Sequence, residues 1–376
     1  MPRDEEDVLA WMLLSRAPRL SVPLLARAFQ ALNCASAADL RRDARAALQR
    51  AELPPAAHSF LIDAEATERE RAWAMDAHHH VIGFLDDRYP RQLRGLGCAP
   101  LALYVAGDPD VLNDPQLSIV GSRNPTAAGR QTAFEFAKSL ARCGICITSG
   151  LAEGIDSAAH RGAIEAGGAT IAVLGSGSDV IYPKCNRRLG TEIEHHGAVV
   201  SEFPLGTPPR RGNFPRRNRI IAALSLGTLV VEAGLRSGSL VTARLAGDNN
   251  REVFAIPGSI HNPLSRGCHE LIRHGAKLTE TTADVLTELN FSGFSLASEE
   301  AESRASRPAD FTPGMDKGHK ILLDALGFDP ADLDTLVVRT GLLPQTVSSM
   351  MLILELEGHV QAAPGGRYSR VSRSRR

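Results

Sequence analysis

The stretch Ser118-Ile119-Val120-Gly121-Ser122-Arg123-Asn124-Pro125 reads as a short apolar strand that breaks into a glycine turn and then enters a helix. The turn sets one arginine at the mouth of that helix. A strand-to-helix turn of this kind aims backbone N–H groups at one point, where a phosphate can sit. No aspartate or glutamate lies between Asp114 and Glu135, so nothing close in sequence cancels Arg123. Taken alone, the motif is equally an ordinary strand-to-helix turn with a solvated arginine. The neighbouring segments shift that balance.

Outward from this stretch, short apolar runs alternate with helical patterns from about residue 81 to 290. Strands are expected at Leu117–Val120, Gly144–Thr148, Thr170–Leu174, Ala198–Ser201, Thr228–Val231 and Glu252–Ile256. Helices are expected at Pro125–Arg142, Ser157–Ala166, Arg187–His196, Arg217–Leu226 and Leu240–Asn249. Near-continuous apolar strands separated by helices indicate an α/β fold with a parallel sheet covered on both faces. Ligands of such sheets bind outside the carboxyl ends of the strands. Gly121-Ser122-Arg123, Ser149-Gly150-Leu151 and Gly175-Ser176-Gly177 all fall there, so three small-residue turns on one edge make a groove.

The flanks differ in pattern. Residues 1–75 read as a helical module, with apolar positions at helical spacing in Val8-Leu9, Trp11-Met12-Leu13-Leu14 and Leu24-Leu25-Phe29-Leu32. Its closing helix is expected at Leu61–Met75, and the consecutive His78, His79 and His80 read as a surface tract. Residues 76–291 form the core, and 292–314, rich in Ser, Ala, Glu and Pro, read as a flexible linker. Residues 315–376 show three short helical patterns and a hairpin turning at Pro364-Gly365-Gly366, the outline of a winged helix with a basic tail. Its would-be recognition helix offers Gln345, Thr346, Ser348 and Ser349 but no Lys or Arg, a poor set for reading bases in a major groove. Protein contact or autoregulation is at least as good a reading of this module.

At 376 residues the chain has room for two or three domains. A net charge of −1 leaves no global basic excess, so any nucleic-acid surface is local. The charge is locally asymmetric: between Glu202 and Glu232 there is no acid, while Arg210, Arg211, Arg216, Arg217 and Arg219 fall inside the window, and beyond Glu357 there is again none, while Arg367, Arg370, Arg373, Arg375 and Arg376 crowd the tail. Six cysteines do not make a disulfide framework, and no apolar run approaches 18 residues. The expectation is a cytoplasmic protein without a membrane segment. Cys143 and Cys146 straddle a helix end and a strand, which favours a structural role over redox or zinc chemistry.

The chemistries this pattern omits are informative. A dinucleotide site needs Gly-x-Gly-x-x-Gly after the first strand, and Gly175-Ser176-Gly177 lacks the third glycine. There is no Walker A loop, no metal-ligand spacing and no Gly-x-Ser-x-Gly elbow. Hence no cofactor, no metal and no catalytic residue is assigned. What remains suits holding phosphates without breaking them. Asp156 is placed to cap the helix carrying His160, which either faces the groove or packs inside. Tyr182-Pro183-Lys184-Cys185-Asn186 supplies a lysine, an amide and an aromatic face, and Phe214-Pro215-Arg216-Arg217-Asn218-Arg219 adds a basic helix entry on which Arg216 and Arg219 share a face.

Taken in order, these motifs resemble the DprA/Smf family. They are Gly121-Ser122-Arg123, Ser149 through His160, Tyr182-Pro183-Lys184, Ser201-Glu202, Phe214 through Ile221, Val231-Glu232-Ala233, Ser237-Gly238-Ser239 and Ile256-Pro257-Gly258. The resemblance spans about residues 80–290. The N-terminal helices are similar to the SAM-like domain of some members, and the C-terminal module to their winged helix. Membership implies an extended Rossmann-like core and a homodimer that binds single-stranded DNA in natural transformation. It implies that the protein shields incoming strands and helps load the RecA recombinase. By motif match Arg123 and Lys184 contact phosphates, and Gly121, Ser122, Ser149 and Gly150 shape the pocket. His160, Asn186, Arg216, Arg217 and Arg219 are added as candidates from charge and position.

Aromatic residues are only 5% of the chain, and the groove segments hold just Tyr182, Phe203 and Phe214. A platform of several stacking rings is therefore absent, and binding is expected to be electrostatic and sequence-tolerant. Three to five cations would give log affinity against log salt a slope of roughly −2 to −3.5. One rival is an enzyme that cleaves nucleoside monophosphates at the glycosidic bond. Ser225-Leu226-Gly227-Thr228-Leu229-Val230-Val231-Glu232 partly echoes the signature of such enzymes but lacks the leading glycine pair. A second rival is a regulator that uses its winged helix on duplex DNA. A shared fold establishes neither.

Overall fold

The computed structural model describes residues 5–17, 19–42, 66–260, 262–291, 317–326 and 330–371. The expected linker at 292–314, Leu61 to Glu65 of the expected closing helix, and Arg373, Arg375 and Arg376 of the tail lie outside the described residues.

Helices α1 (Glu5–Leu14), α2 (Val22–Leu32), α3 (Ala37–Arg42) and α4 (Glu68–Met75) come first. Thr67 and Glu70 form a capping box at the start of α4. Strand β1 (His79–Gly83), the short α5 (Arg91–Arg94) and β2 (Ala102–Gly107) follow. Trp11 of α1 lies flat where any side chain at Gly83 would stand, so this glycine lets the helix rest on the strand. Ser15 and Tyr104 hydroxyls share a 2.8 Å hydrogen bond across the same junction.

The core then alternates: β3 (Gln116–Val120), α6 (Ala127–Arg142), β4 (Cys146–Ser149), α7 (Ile155–Glu165), β5 (Thr170–Val173), α8 (Arg187–His196), β6 (Gly197–Ser201), α9 (Asn213–Leu224), β7 (Gly227–Val230), α10 (Gly238–Asp248), β8 (Glu252–Ala255), α11 (Arg266–Arg273), β9 (Lys277–Leu278) and α12 (Thr282–Glu288). The nine strands form one sheet in the order β1-β2-β6-β5-β4-β3-β7-β8-β9. Along that order all pairs from β6 to β9 are parallel, whereas β1–β2 and β2–β6 are antiparallel. The order doubles back at β3: the chain moves one way through β4, β5 and β6, then returns to place β7 on the other side of β3. This is the Rossmann-like core expected from the sequence, and the switch between β3 and β7 is where such sheets open a crevice.

All expected parallel strands form, with ends shifted by up to two residues. The antiparallel pair at one edge and the two-residue β9 are additions to the expected set. The histidine run is also corrected. His79 and His80 open β1 opposite Ala106 and Val105, and the His79 ring stacks on Trp73 at 4.4 Å.

The last elements are α13 (Lys317–Leu326), β10 (Ala331–Asp332), α14 (Leu333–Thr340), α15 (Pro344–Leu356), β11 (Val360–Ala363) and β12 (Arg367–Arg370). Strands β10, β12 and β11 make a small antiparallel sheet. Leu322, Leu326, Leu336, Val347, Met351 and Leu354 bury a core of their own, which fits the winged-helix expectation. Among the described residues no single helix is long and apolar enough to cross a membrane.

Candidate nucleic-acid interface

The turns after β3 and β4 are locked to each other. Ile155 N–H donates to Ser122 C=O at 3.1 Å, and Gly154 adopts φ 83° directly beneath that carbonyl. A methyl group at Gly121 would stand 2.7 Å from Ile155 Cγ1 and 3.0 Å from Glu232 C=O, so only glycine fits there. Ser149 is buried and donates to Ile119 C=O at 2.6 Å. The turn thus arrives pre-shaped, with Arg123 exposed at its tip.

A carboxylate of the protein stands at the start of α6, where the strand-turn-helix motif leads one to expect a phosphate. Glu232, distant in sequence, supplies it. Its carboxylate accepts from Thr126 N–H at 2.9 Å and from the Thr126 hydroxyl at 2.7 Å. Thr126 in turn caps the helix by accepting from Gly129 N–H at 3.0 Å. The helix dipole is already met by a protein anion. Arg123 itself forms no ion pair with a carboxylate among the described residues.

Asp156 is expected to cap α7 but sits inside its first turn, with Gly154 at the cap position. Its carboxylate reaches back to accept from Gly150 N–H at 3.2 Å and Ala152 N–H at 3.3 Å. Burial pushes its carboxyl up, while Arg217, the two amides and Arg123 pull the other way.

Arg217 is a brace rather than a contact. Only 5% exposed, it donates through Nη1 to Gly150 C=O at 2.7 Å and to Val173 C=O, and through Nε to Asn218 Oδ1 at 2.9 Å. Its guanidinium occupies the space a side chain at Gly150 would need. Burial lowers its pKa to about 10, so it remains charged at neutral pH. Arg219 is likewise buried and donates to Glu202 Oε2. Arg216 donates to the same oxygen at 3.0 Å but leaves 61% of its side chain in solvent, 5.3 Å from the Phe203 ring.

Two more expected contacts are removed by burial. Asn186 donates to Leu151 C=O and to Ser157 Oγ, both at 2.9 Å. His160 is fully buried: Thr170 donates its hydroxyl to Ile147 C=O, so His160 Nδ1 must donate to Thr170 Oγ1 at 2.7 Å. Burial first, then the Arg217 charge, drive its pKa down to about 3. It cannot meet a polynucleotide.

Arg123 and Tyr182 meet at one half-buried ring, that of Phe214. The Arg123 guanidinium lies 5.6 Å from the Phe214 ring centroid, and the Tyr182 ring lies 5.9 Å from that centroid on its own account. Tyr182 is 44% exposed, and the exposed Lys184 follows two residues later, with no ion-pair partner among the described residues. A cavity of about 320 Å³ opens here, lined by Gly121, Arg123, Asp156, Phe214, Arg217 and Ser239. Ser239 is absent from the residues expected at the site, although a Ser-Gly-Ser run at a helix start is the available signal. Asp179 is absent too; it accepts from Gly206 N–H at 2.8 Å and from Arg69. No local spacing announces a partner 110 residues away.

A larger cavity of about 550 Å³ lies beyond the ends of β7 and β8, lined by Glu232, Thr126, Pro257, Gly258 and Asn262. Asn262 also donates toward Glu232 at 3.4 Å, which leaves that carboxylate occupied as a structural anchor.

Similarity to known proteins matches this architecture. The family described as DNA recombination-mediator protein A matches residues 80–290. The chain belongs to that family. The DprA winged helix domain matches residues 302–366. Protein Smf of Escherichia coli is 42% identical over 82% of this chain and 82% of its own length. DNA processing protein DprA of Streptococcus pneumoniae is 47% identical over 56% of this chain and 74% of that relative. The solved Streptococcus pneumoniae DprA superposes with a TM-score of 0.60 at 33% identity, covering 77% of this chain and 99% of its own. A DprA structure from Helicobacter pylori, described for its single-stranded DNA binding mode, gives 0.52 at 31% identity over 56% of this chain and 95% of its own.

Proposed function

We propose that this protein binds single-stranded DNA along its phosphate backbone, without reading sequence and without cleaving it. In this reading it acts in natural transformation as a homodimer that shields incoming strands and helps load the RecA recombinase. Family membership supports the role in DNA processing. The observation that carries the chemistry is the exposed Arg123 over the half-buried Phe214 ring, with the exposed Tyr182 beside that ring and the exposed Lys184 two residues further on, neither cation tied to a carboxylate among the described residues. Arg216 is a further exposed cation, paired with a carboxylate that Arg219 also holds.

These cations act as point charges against phosphate oxygens, while one or two rings give each passing base a face to rest on. Both contacts exist on every nucleotide, which makes the grip sequence-tolerant. The test is a mobility shift with single- and double-stranded oligonucleotides of several sequences at two salt concentrations. Single strands should bind more tightly, alike for all sequences, and release as salt rises. Equal affinity for duplexes, or strong sequence preference, would refute the reading. The glycosidase alternative gains no support, because both Glu232 oxygens are held by Thr126 and Asn262. Incubation with nucleoside monophosphates should release no free base.

A further inference from the structure

Arg210 and Arg211 stand in the acid-free window of the sequence but outside the motifs that mark the groove. Neither is buried, and neither is ion-paired among the described residues. A pair of arginines on a loose surface loop would be ordinary. This loop is not loose. Thr207-Pro208-Pro209-Arg210-Arg211-Gly212 contains two prolines, each fixing its own φ.

Both ends of the loop are also tied to the turn after β5. At the near end Gly177 N–H donates to Thr207 C=O at 3.0 Å, and Gly206 N–H donates to Asp179 at 2.8 Å. At the far end Asn213 Nδ2 donates to Gly175 C=O at 3.0 Å, and Asn213 N–H closes back on Arg210 C=O at 3.0 Å. The next residue is Phe214, whose ring lies under Arg123 and against Tyr182. A tethered, proline-stiffened segment therefore presents two further cations shortly before that ring in the chain. The nearby carboxylates are engaged elsewhere: Glu202 by Arg216 and Arg219, Asp179 by Arg69 and Gly206.

We infer that Arg210 and Arg211 extend the polynucleotide track, holding the phosphates of the same strand next to those at Arg123. The inference rests on the single-strand reading above and sets where the strand runs. Because the loop is ordered before binding, little freedom is lost when phosphates dock.

The test compares the full chain with Arg210→Ala/Arg211→Ala and Arg210→Lys/Arg211→Lys on a ladder of oligothymidylates across a salt series. Each lost phosphate contact removes about 0.7 from the slope of log affinity against log salt, so the double alanine variant should lose about 1.4. That corresponds to a loss of about 25-fold at 0.1 M salt. The alanine variant should also saturate at a shorter oligonucleotide, and the lysine variant should behave nearly as wild type. Unchanged thermal melting shows that the loop variants fold. An unaltered slope and saturation length in the alanine variant would overturn the inference while leaving the single-strand reading intact. Wild-type protein that binds no oligothymidylate would overturn both.

Discussion

Arg123 stands on the turn after β3 and Arg217 braces the turn after β4, and although both carry the same charge a substitution at each removes something different. Arg123 reaches solvent over the Phe214 ring and lends its charge weakly to the buried Asp156, so Arg123→Ala should cost less than about 1 kcal/mol of stability. It should weaken every single strand about fivefold at 0.1 M salt and flatten the salt slope by about 0.7, read by mobility shift. Arg217→Ala instead leaves Asp156 buried beside two deserted carbonyls. It should destabilise the fold by about 3 kcal/mol or more in urea unfolding. His160 gives a pH signature of its own. Its folded pKa is depressed to about 3 from 6.5, so the unfolded chain takes up a proton that the folded chain refuses. Stability from this residue is full above pH 6.5 and falls by about 1.4 kcal/mol per pH unit below it. His160→Gln should flatten that part of the pH–stability curve between about pH 6.5 and 4.

At the level of strands and turns, close approach decides what is tolerated. Gly150 lies under the Arg217 guanidinium, and an added methyl group would displace it. Gly150→Ala should therefore cost about 1–3 kcal/mol and loosen the turn that supports Asp156, measurable by urea unfolding. The parallel strands are legible because each is a continuous apolar run between turn residues, as in Thr170–Val173. Ala102–Gly107 carries the same signal and is equally buried, but it lies outside the strand-helix alternation that makes the others stand out. Strand β1 is hidden by its opening histidines, and the packing of the His79 ring on Trp73 is something no periodicity reveals. Arg123 and Lys184 are readable because glycine and proline turns force them outward. Whether Arg217 and Arg219 point out or brace depends on acceptors 67, 44 and 17 residues away, which helical spacing does not encode.

Across the whole molecule, the groove and the winged helix present different chemistry. Helix α15 shows Gln345, Thr346, Ser348 and Ser349 to solvent beside Leu352 and Leu356, which are 58% and 80% exposed. A basic face is missing from that helix, so Gln345→Glu with Ser349→Glu should change affinity for single strands and duplexes by less than about twofold. A loss of about tenfold on duplex would place α15 on DNA. The topology carries a further consequence. At the reversal between β3 and β7, where related folds admit a nucleotide, Glu232 stoppers the helix mouth with the protein's own negative charge. Free ATP or NAD should therefore compete with a bound strand no better than an equal ionic strength of simple salt, as a displacement titration would report.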